Sequence, residues 1–235
     1  SYVNPDGVIT EAIDMGYATV CRTRDDDSRV VEERYLDAGG NPVARHGDYC
    51  GLSYEYNETG TVITYLDTER NPIICSDGYS TIVRTQAGGR ASDDFYYDLN
   101  RQQVQRTGGY YGLHREFNTE GQNTSLTYLD KDGHAVCTSF GYTSKTYQRD
   151  RNGTVVGEQY FDKEGNPVRS WLGQYGEFYQ HNEQGYISQI TYLDADGNPA
   201  PTNAGYTILK RTYHRDGTAD TDMYFDANGN PKALS

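Results

Sequence analysis

Hydrophobic and polar positions alternate along this chain in short runs, and each run ends in a turn. Gln189-Ile190-Thr191-Tyr192-Leu193 is representative. It is rich in β-branched and aromatic residues whose side chains point alternately to two faces, the pattern of a half-buried strand. No window carries a helical stripe, because Gly and Asn interrupt each candidate. The turns are spelled most clearly in Asp194-Ala195-Asp196-Gly197-Asn198-Pro199, Asp226-Ala227-Asn228-Gly229-Asn230-Pro231 and Asp162-Lys163-Glu164-Gly165-Asn166-Pro167. Asp bonds to the backbone two residues on and Gly supplies positive φ. Together they predict a type I turn followed by a glycine bulge, a common hairpin connection. Asn4-Pro5-Asp6-Gly7 says the same, with Pro presetting φ. Arg70 and Arg101 stand where the Gly is expected, so those two turns are expected to take another shape.

The strand-and-turn pattern repeats. A Tyr-hydrophobic-Asp motif recurs at Tyr35, Tyr65, Tyr96, Tyr128, Tyr160, Tyr192 and Tyr224, with Tyr2-Val3-Asn4 as a degenerate first copy. Successive intervals are 33, 30, 31, 32, 32, 32 and 32 residues. A Gly-Tyr motif follows in most units, as Gly16-Tyr17, Gly78-Tyr79, Gly109-Tyr110, Gly141-Tyr142 and Gly205-Tyr206, with looser forms around Tyr49 and Tyr175. Another aromatic-then-turn segment comes next, as in Phe117-Asn118-Thr119-Glu120-Gly121. Each unit is thus expected to hold two turn signals and two strand pairs. One unit cannot bury a core, whereas stacked neighbours can. A propeller fits less well, since a four-stranded blade takes ~40–45 residues. The predicted fold is all-β: an elongated repeat array, a β-hairpin solenoid, of about seven units. These units begin at residues 2, 35, 65, 96, 128, 160 and 192, with a terminal half unit at 224. They are expected to form a single tandem-repeat domain over 1–235, a segment of a longer protein.

Composition changes this picture in two ways. Only 35% of residues are hydrophobic and the net charge is −13, a combination typical of disorder. The 23 Tyr reverse that expectation, because each ring can be buried while its hydroxyl stays satisfied. The charge opposes a polyanion, so no nucleic-acid partner is expected. No apolar run reaches the ~18 residues of a membrane span.

Catalytic chemistry is sparse. The five His share no repeat position and form no HExxH. No GxSxG elbow or P-loop occurs. Acidic residues recur with the turns, where they have a structural role. Asp194-x-Asp196-Gly197-Asn198 looks like half a calcium loop but lacks the remaining ligands and the distal Glu. The four Cys form no CxxC and are too few for a disulfide framework. The expectation is a non-enzyme with no catalytic residue, metal or cofactor.

Tandem Tyr-Phe-Asp-x-x-Gly-Asn-Pro hairpins, as at Tyr160 and Tyr224, resemble the cell-wall-binding repeats of Gram-positive surface proteins. These include choline-binding modules, glucan-binding repeats and the repetitive C-terminal regions of large clostridial toxins. In that family, non-enzymatic repeats hold choline or sugars between aromatics of adjacent hairpins. Here the period is longer than the choline-type unit and there is a single Trp, which favours a glycan over choline. A looser similarity links the motif to Tyr-Asp (RHS-type) repeats that build β-shells around secreted toxins. The resemblance implies an extracellular or bacterial cell-surface module that binds cell-wall or host glycopolymer and positions an attached domain. The alternatives are a structural spacer or protein-interaction array, and a shell fragment of a secreted polymorphic toxin. Most Tyr are expected in the core. The expected ligand-binding residues are Trp171, the best single stacking surface, with Tyr79, Tyr110, Tyr142 and Tyr206, where the preceding Gly is expected to leave room for a ligand, and the looser copy Tyr175.

Overall fold

The structure is a computed structural model that describes residues 8, 15–46, 48–87 and 91–233. The Tyr2-Val3-Asn4 copy and the turn after it lie outside the described residues. Contacts divide the chain into two compact units, residues 1–106 and 107–235. The first contains β1 (Thr19–Arg24), β2 (Val30–Leu36), β3 (Gly51–Asn57), β4 (Gly60–Leu66), β5 (Thr81–Ala87) and β6 (Ala91–Tyr97). The second contains β7 (Gly112–Phe117), β8 (Asn123–Leu129), β9 (Ser144–Arg149), β10 (Val155–Phe161), β11 (Gly176–His181), β12 (Ile187–Leu193), β13 (Ile208–Tyr213) and β14 (Ala219–Phe225). Within each unit every strand pairs antiparallel with its neighbours in sequence. The predicted all-β hairpin array is what the chain forms.

Each repeat contributes one hairpin and not two strand pairs, which corrects the count read from the sequence. The Gly-Tyr segment is not a strand. It closes a third tight turn: the Thr202 N–H donates to the Tyr206 carbonyl (2.8 Å) and the Gly205 N–H to the Thr202 carbonyl (2.8 Å).

The Asp turns form as predicted. In the best copy the Asp194 carboxylate accepts from the N–H of Asp196 (3.0 Å) and of Asn198 (2.8 Å), and Gly197 sits at φ 83°. The Arg70 and Arg101 turns are a second correction. Both arginines adopt the left-handed φ of the glycines, 73° and 63°. They keep the same bonds, with the Arg70 N–H donating to Asp67 O (3.3 Å) and the Arg101 N–H to Asp98 O (3.2 Å). The Asp carboxylate and the flanking ladder over-determine this turn, so they impose its shape on a residue that disfavours it.

Strand alternation gives each sheet a tyrosine face. The Tyr of every Tyr-x-Asp motif lies there, and Tyr160 retains 3% exposure. The third turn folds over this face and inserts its own Tyr between neighbours. In the first unit the rings run Tyr17–Tyr35–Tyr49–Tyr65–Tyr79–Tyr96 with centroid spacings of 4.7–5.8 Å. Ring pairs at such distances add ~0.5–1.5 kcal/mol to area burial. They replace the aliphatic core that the composition lacks.

Candidate functional site

The ladder fixes where the expected binding residues lie. Tyr79 and Tyr206 retain only 6% and 7% exposure, and Tyr110, Tyr142 and Tyr175 are half-buried. Tyr79 packs against Tyr65 and Tyr96 (5.4 and 4.8 Å), Tyr110 against Tyr128 (4.8 Å), Tyr142 against Tyr160 (4.4 Å, stacked) and Tyr206 against Tyr224 (4.7 Å). These rings pack into the ladder, while the space beside Gly78 and Gly109 is open. Gly78, Gly109, Gly141 and Gly205 have φ between 78° and 92° and serve the turn. Trp171 alone stands out, at 65% exposure. It sits on the third turn before β11, where turns of successive repeats stack. Its N–H donates to Phe140 O (2.8 Å), and the next turn's Asn203 N–H donates to Leu172 O (2.7 Å).

Tyr175 is out of register. Counting 32 residues from Tyr142 or Tyr206 arrives at Gln174, so the ladder position of this repeat holds an amide, 3% exposed. Two more departures lie beside it. Val20, Leu52, Ile82, Leu113 and Leu209 occupy one position on the tyrosine face of the first strand of their hairpins; β9 has Lys145 there and β11 has Glu177. The three polar residues form one network. Ser170 Oγ donates to Gln174 Oε1 (2.7 Å), Gln174 Nε2 to Glu177 Oε1 (2.9 Å) and the Tyr179 hydroxyl to Glu177 Oε2 (2.9 Å). Lys145 Nζ donates to Glu158 Oε2 (2.6 Å) and the Tyr160 hydroxyl to Glu158 Oε1 (3.2 Å). Burial pushes the Glu177 carboxyl up from the ordinary carboxylate range, with the Glu158 charge adding to it against the hydrogen bonds it accepts. Burial opposes the charge on Lys145, but Glu158 overrides this and raises its pKa.

The opposite face of the same strands carries a groove of about 850 Å³. Its floor spans β9 to β12, and the Asp194–Gly197 turn forms one wall. Gly157 and Gly176 let the backbones of β10 and β11 approach closely. A β-carbon on either would approach the carbonyl of Glu177 or Glu158, at 2.7 and 2.5 Å. Corresponding positions to Gly157 hold Glu32, Val62, Asp93, Ser125, Gln189 and Thr221. The side chains on the groove face are Thr146, Gln148, Gln159, Thr191 and Leu193, with Phe178 as the aromatic surface, 38% exposed, and Asp194 and Asp196 on the turn wall. No Lys, Arg or His lines it. Its amides and hydroxyls can exchange hydrogen bonds with a polyol, and Phe178 can stack on an apolar ring face. Sequence reasoning missed these residues because only strand pairing brings them together.

Among the described residues no three His, Cys, Asp or Glu side chains converge as metal ligands, and no helix is long and apolar enough to cross a membrane. The Asp carboxylates of the turns accept backbone N–H groups. Comparison with protein-family models and with curated proteins gives no match.

Proposed function

We propose that this chain is a non-catalytic repeat module that holds a neutral glycan, a cell-wall or host glycopolymer, in the groove over β9–β12. It would thereby position an attached domain at a bacterial surface or in the extracellular space. The observation that carries this reading is the groove itself. It sets four neutral hydrogen-bonding side chains around one exposed aromatic, with the Asp194 and Asp196 carboxylates on its wall as further acceptors for a polyol, and it lies where the repeat departs from its own pattern. The net charge of −13 disfavours anionic polymers and leaves neutral glycans unpenalised. Trp171 offers a second, separate stacking surface on the turn row, and avidity along a repeating polymer would join the two weak contacts.

The test is retention of the full chain on purified cell wall and on insoluble neutral polysaccharides. Loss of a stacking face is worth ~1 kcal/mol, about fivefold in affinity, so Phe178→Ala should reduce retention by that factor. Trp171→Ala measures the turn row separately. A second reading, a structural spacer or protein-interaction array, draws support from the burial of the Tyr ladder. Unchanged retention in both variants, or no retention by the parent chain, decides for the spacer.

A further inference from the structure

The polar network on the tyrosine face contains two carboxyl groups set directly against each other. Glu158 of β10 and Glu177 of β11 are cross-strand partners, an arrangement that destabilises a sheet when both are ionised. Their surroundings come from four strands and two turns. β9 contributes Lys145 and Tyr147, β10 contributes Tyr160, and β11 contributes Tyr179. β12 places Tyr192 opposite Glu177, and the turns bring Gln174 and Tyr142. Lys145 is the one cation in this set, and it is spent on Glu158 at 2.6 Å. The side chains of Lys145 and Glu158 retain 19% and 12% exposure.

Two carboxyls and one ammonium are neutral together only when one carboxyl carries a proton. Glu158 has the ammonium, so the proton belongs on Glu177, whose hydrogen-bond partners Gln174 and Tyr179 are neutral. The Tyr179 hydroxyl interacts with both acids. At 2.9 Å from Glu177 Oε2 it can accept from the protonated carboxyl. The same three residue pairs that join β10 to β11 serve both faces: Gly157 with Phe178, Glu158 with Glu177, and Gln159 with Gly176. Phe178, Gln159 and Gly176 of these pairs line the groove.

We propose that Glu177 is a proton-operated latch on the β10–β11 junction beneath the groove. With the proton in place, the junction is closed. When the proton leaves to solvent, two carboxylates face each other across the strands with one ammonium between them, and the junction loosens. The consequence for binding rests on the groove reading above: glycan retention is stronger on the acid side. Glu177 is held above the ordinary carboxyl range, so its contribution is complete below that range and is lost as pH rises through the raised value.

The test is amide hydrogen exchange on the full chain, from the ordinary carboxyl value of about pH 4.3 upward, for the parent, Glu177→Gln and Glu158→Gln. The reporter is the junction bond from the Tyr160 N–H to the Tyr175 carbonyl (2.9 Å). In the parent, protection there should fall about tenfold as pH rises, beyond the intrinsic change in exchange rate. Either Gln variant should abolish that fall, the first by fixing Glu177 neutral and the second by freeing Lys145 for it. The same pH dependence in all three proteins overturns the latch, and so does a Glu177→Gln chain that cannot fold. Retention on neutral polysaccharide is measured in parallel. A latch pattern without retention at any pH refutes the groove reading alone; retention with pH-independent exchange refutes the latch alone.

Discussion

Arg101→Gly measures how strongly the Asp turn imposes its shape. Arg101 occupies the position that Gly40, Gly133, Gly165, Gly197 and Gly229 fill elsewhere, and it adopts φ 63° with the turn's backbone bonds intact. A left-handed conformation costs a residue with a β-carbon ~1–2 kcal/mol. Glycine removes that cost but adds ~0.5–1 kcal/mol of chain freedom lost on folding. The difference is a net stabilisation of ~0.5–1 kcal/mol, or about 2–3 °C in melting temperature for a chain of this size. Arg70→Gly should gain less. Arg70 Nε lies 3.1 Å from Glu32 Oε1, and an exposed pair of that kind contributes up to ~1 kcal/mol, which cancels most of the gain. Gly197→Arg, the reverse change in another copy, should cost ~0.5–1 kcal/mol for the same reason. The assay is thermal unfolding of the full chain and the three variants, followed by circular dichroism. A lower melting temperature for Arg101→Gly, with Gly197→Arg unchanged, would falsify the claim that the turn selects for positive φ.

Four further outcomes follow from the packing. Tyr160→Ala removes a ring with 3% exposure that stacks on Tyr142 and should destabilise the second unit by ~3–5 kcal/mol in urea melts. Trp171→Ala, at an exposed turn position, should change stability by less than ~0.5 kcal/mol in the same experiment. A thiol reagent should label Cys21 and Cys137, which are exposed, well before Cys50 and Cys75, which are buried and whose thiol pKa burial raises; equal rates for all four would contradict the fold. Backbone N–H groups lower the pKa of Asp37, Asp67, Asp130 and Asp162. The stability they contribute is present above the ordinary Asp value of about 3.9 and is lost as pH falls through the depressed values, the opposite sign to Glu177. Melting temperatures should therefore drop below about pH 4, and Asp162→Asn should flatten part of that drop.

What the sequence made legible was what lies close along the chain. The Tyr-x-Asp motif, its period and the Asp-x-x-Gly turn are local signals, and each turn bond spans at most four residues. What stayed hidden depends on pairing between strands. Gln174 was masked because the adjacent Tyr175 looked like a loose Gly-Tyr copy, and only the register against Tyr142 and Tyr206 moves it into the ladder. Glu158 and Glu177 are 19 residues apart and sit in opposite strands of different hairpins, so no spacing rule joins them. The register also uncovers a doubled period. Two residues before each motif Tyr, on the tyrosine face, the chain reads Glu33, Ile63, Asp94, Leu126, Glu158, Ile190 and Asp222. Acid alternates with aliphatic in every step. In three of the four acidic hairpins the acid binds the Arg directly across from it: Arg22 to Glu33, Arg84 to Asp94, and Arg211 to Asp222. The fourth has Tyr147 opposite Glu158 and draws its cation from Lys145 instead. A charged pair between apolar neighbours contributes little net stability, but it penalises any pairing that sets it against an aliphatic row. In a chain of near-identical hairpins, slippage by one repeat is the nearest competing structure, and this alternation opposes it. The one acidic row that abandons the Arg pairing is the row beneath the groove, which is why the candidate site and the proton latch belong to the same few residues.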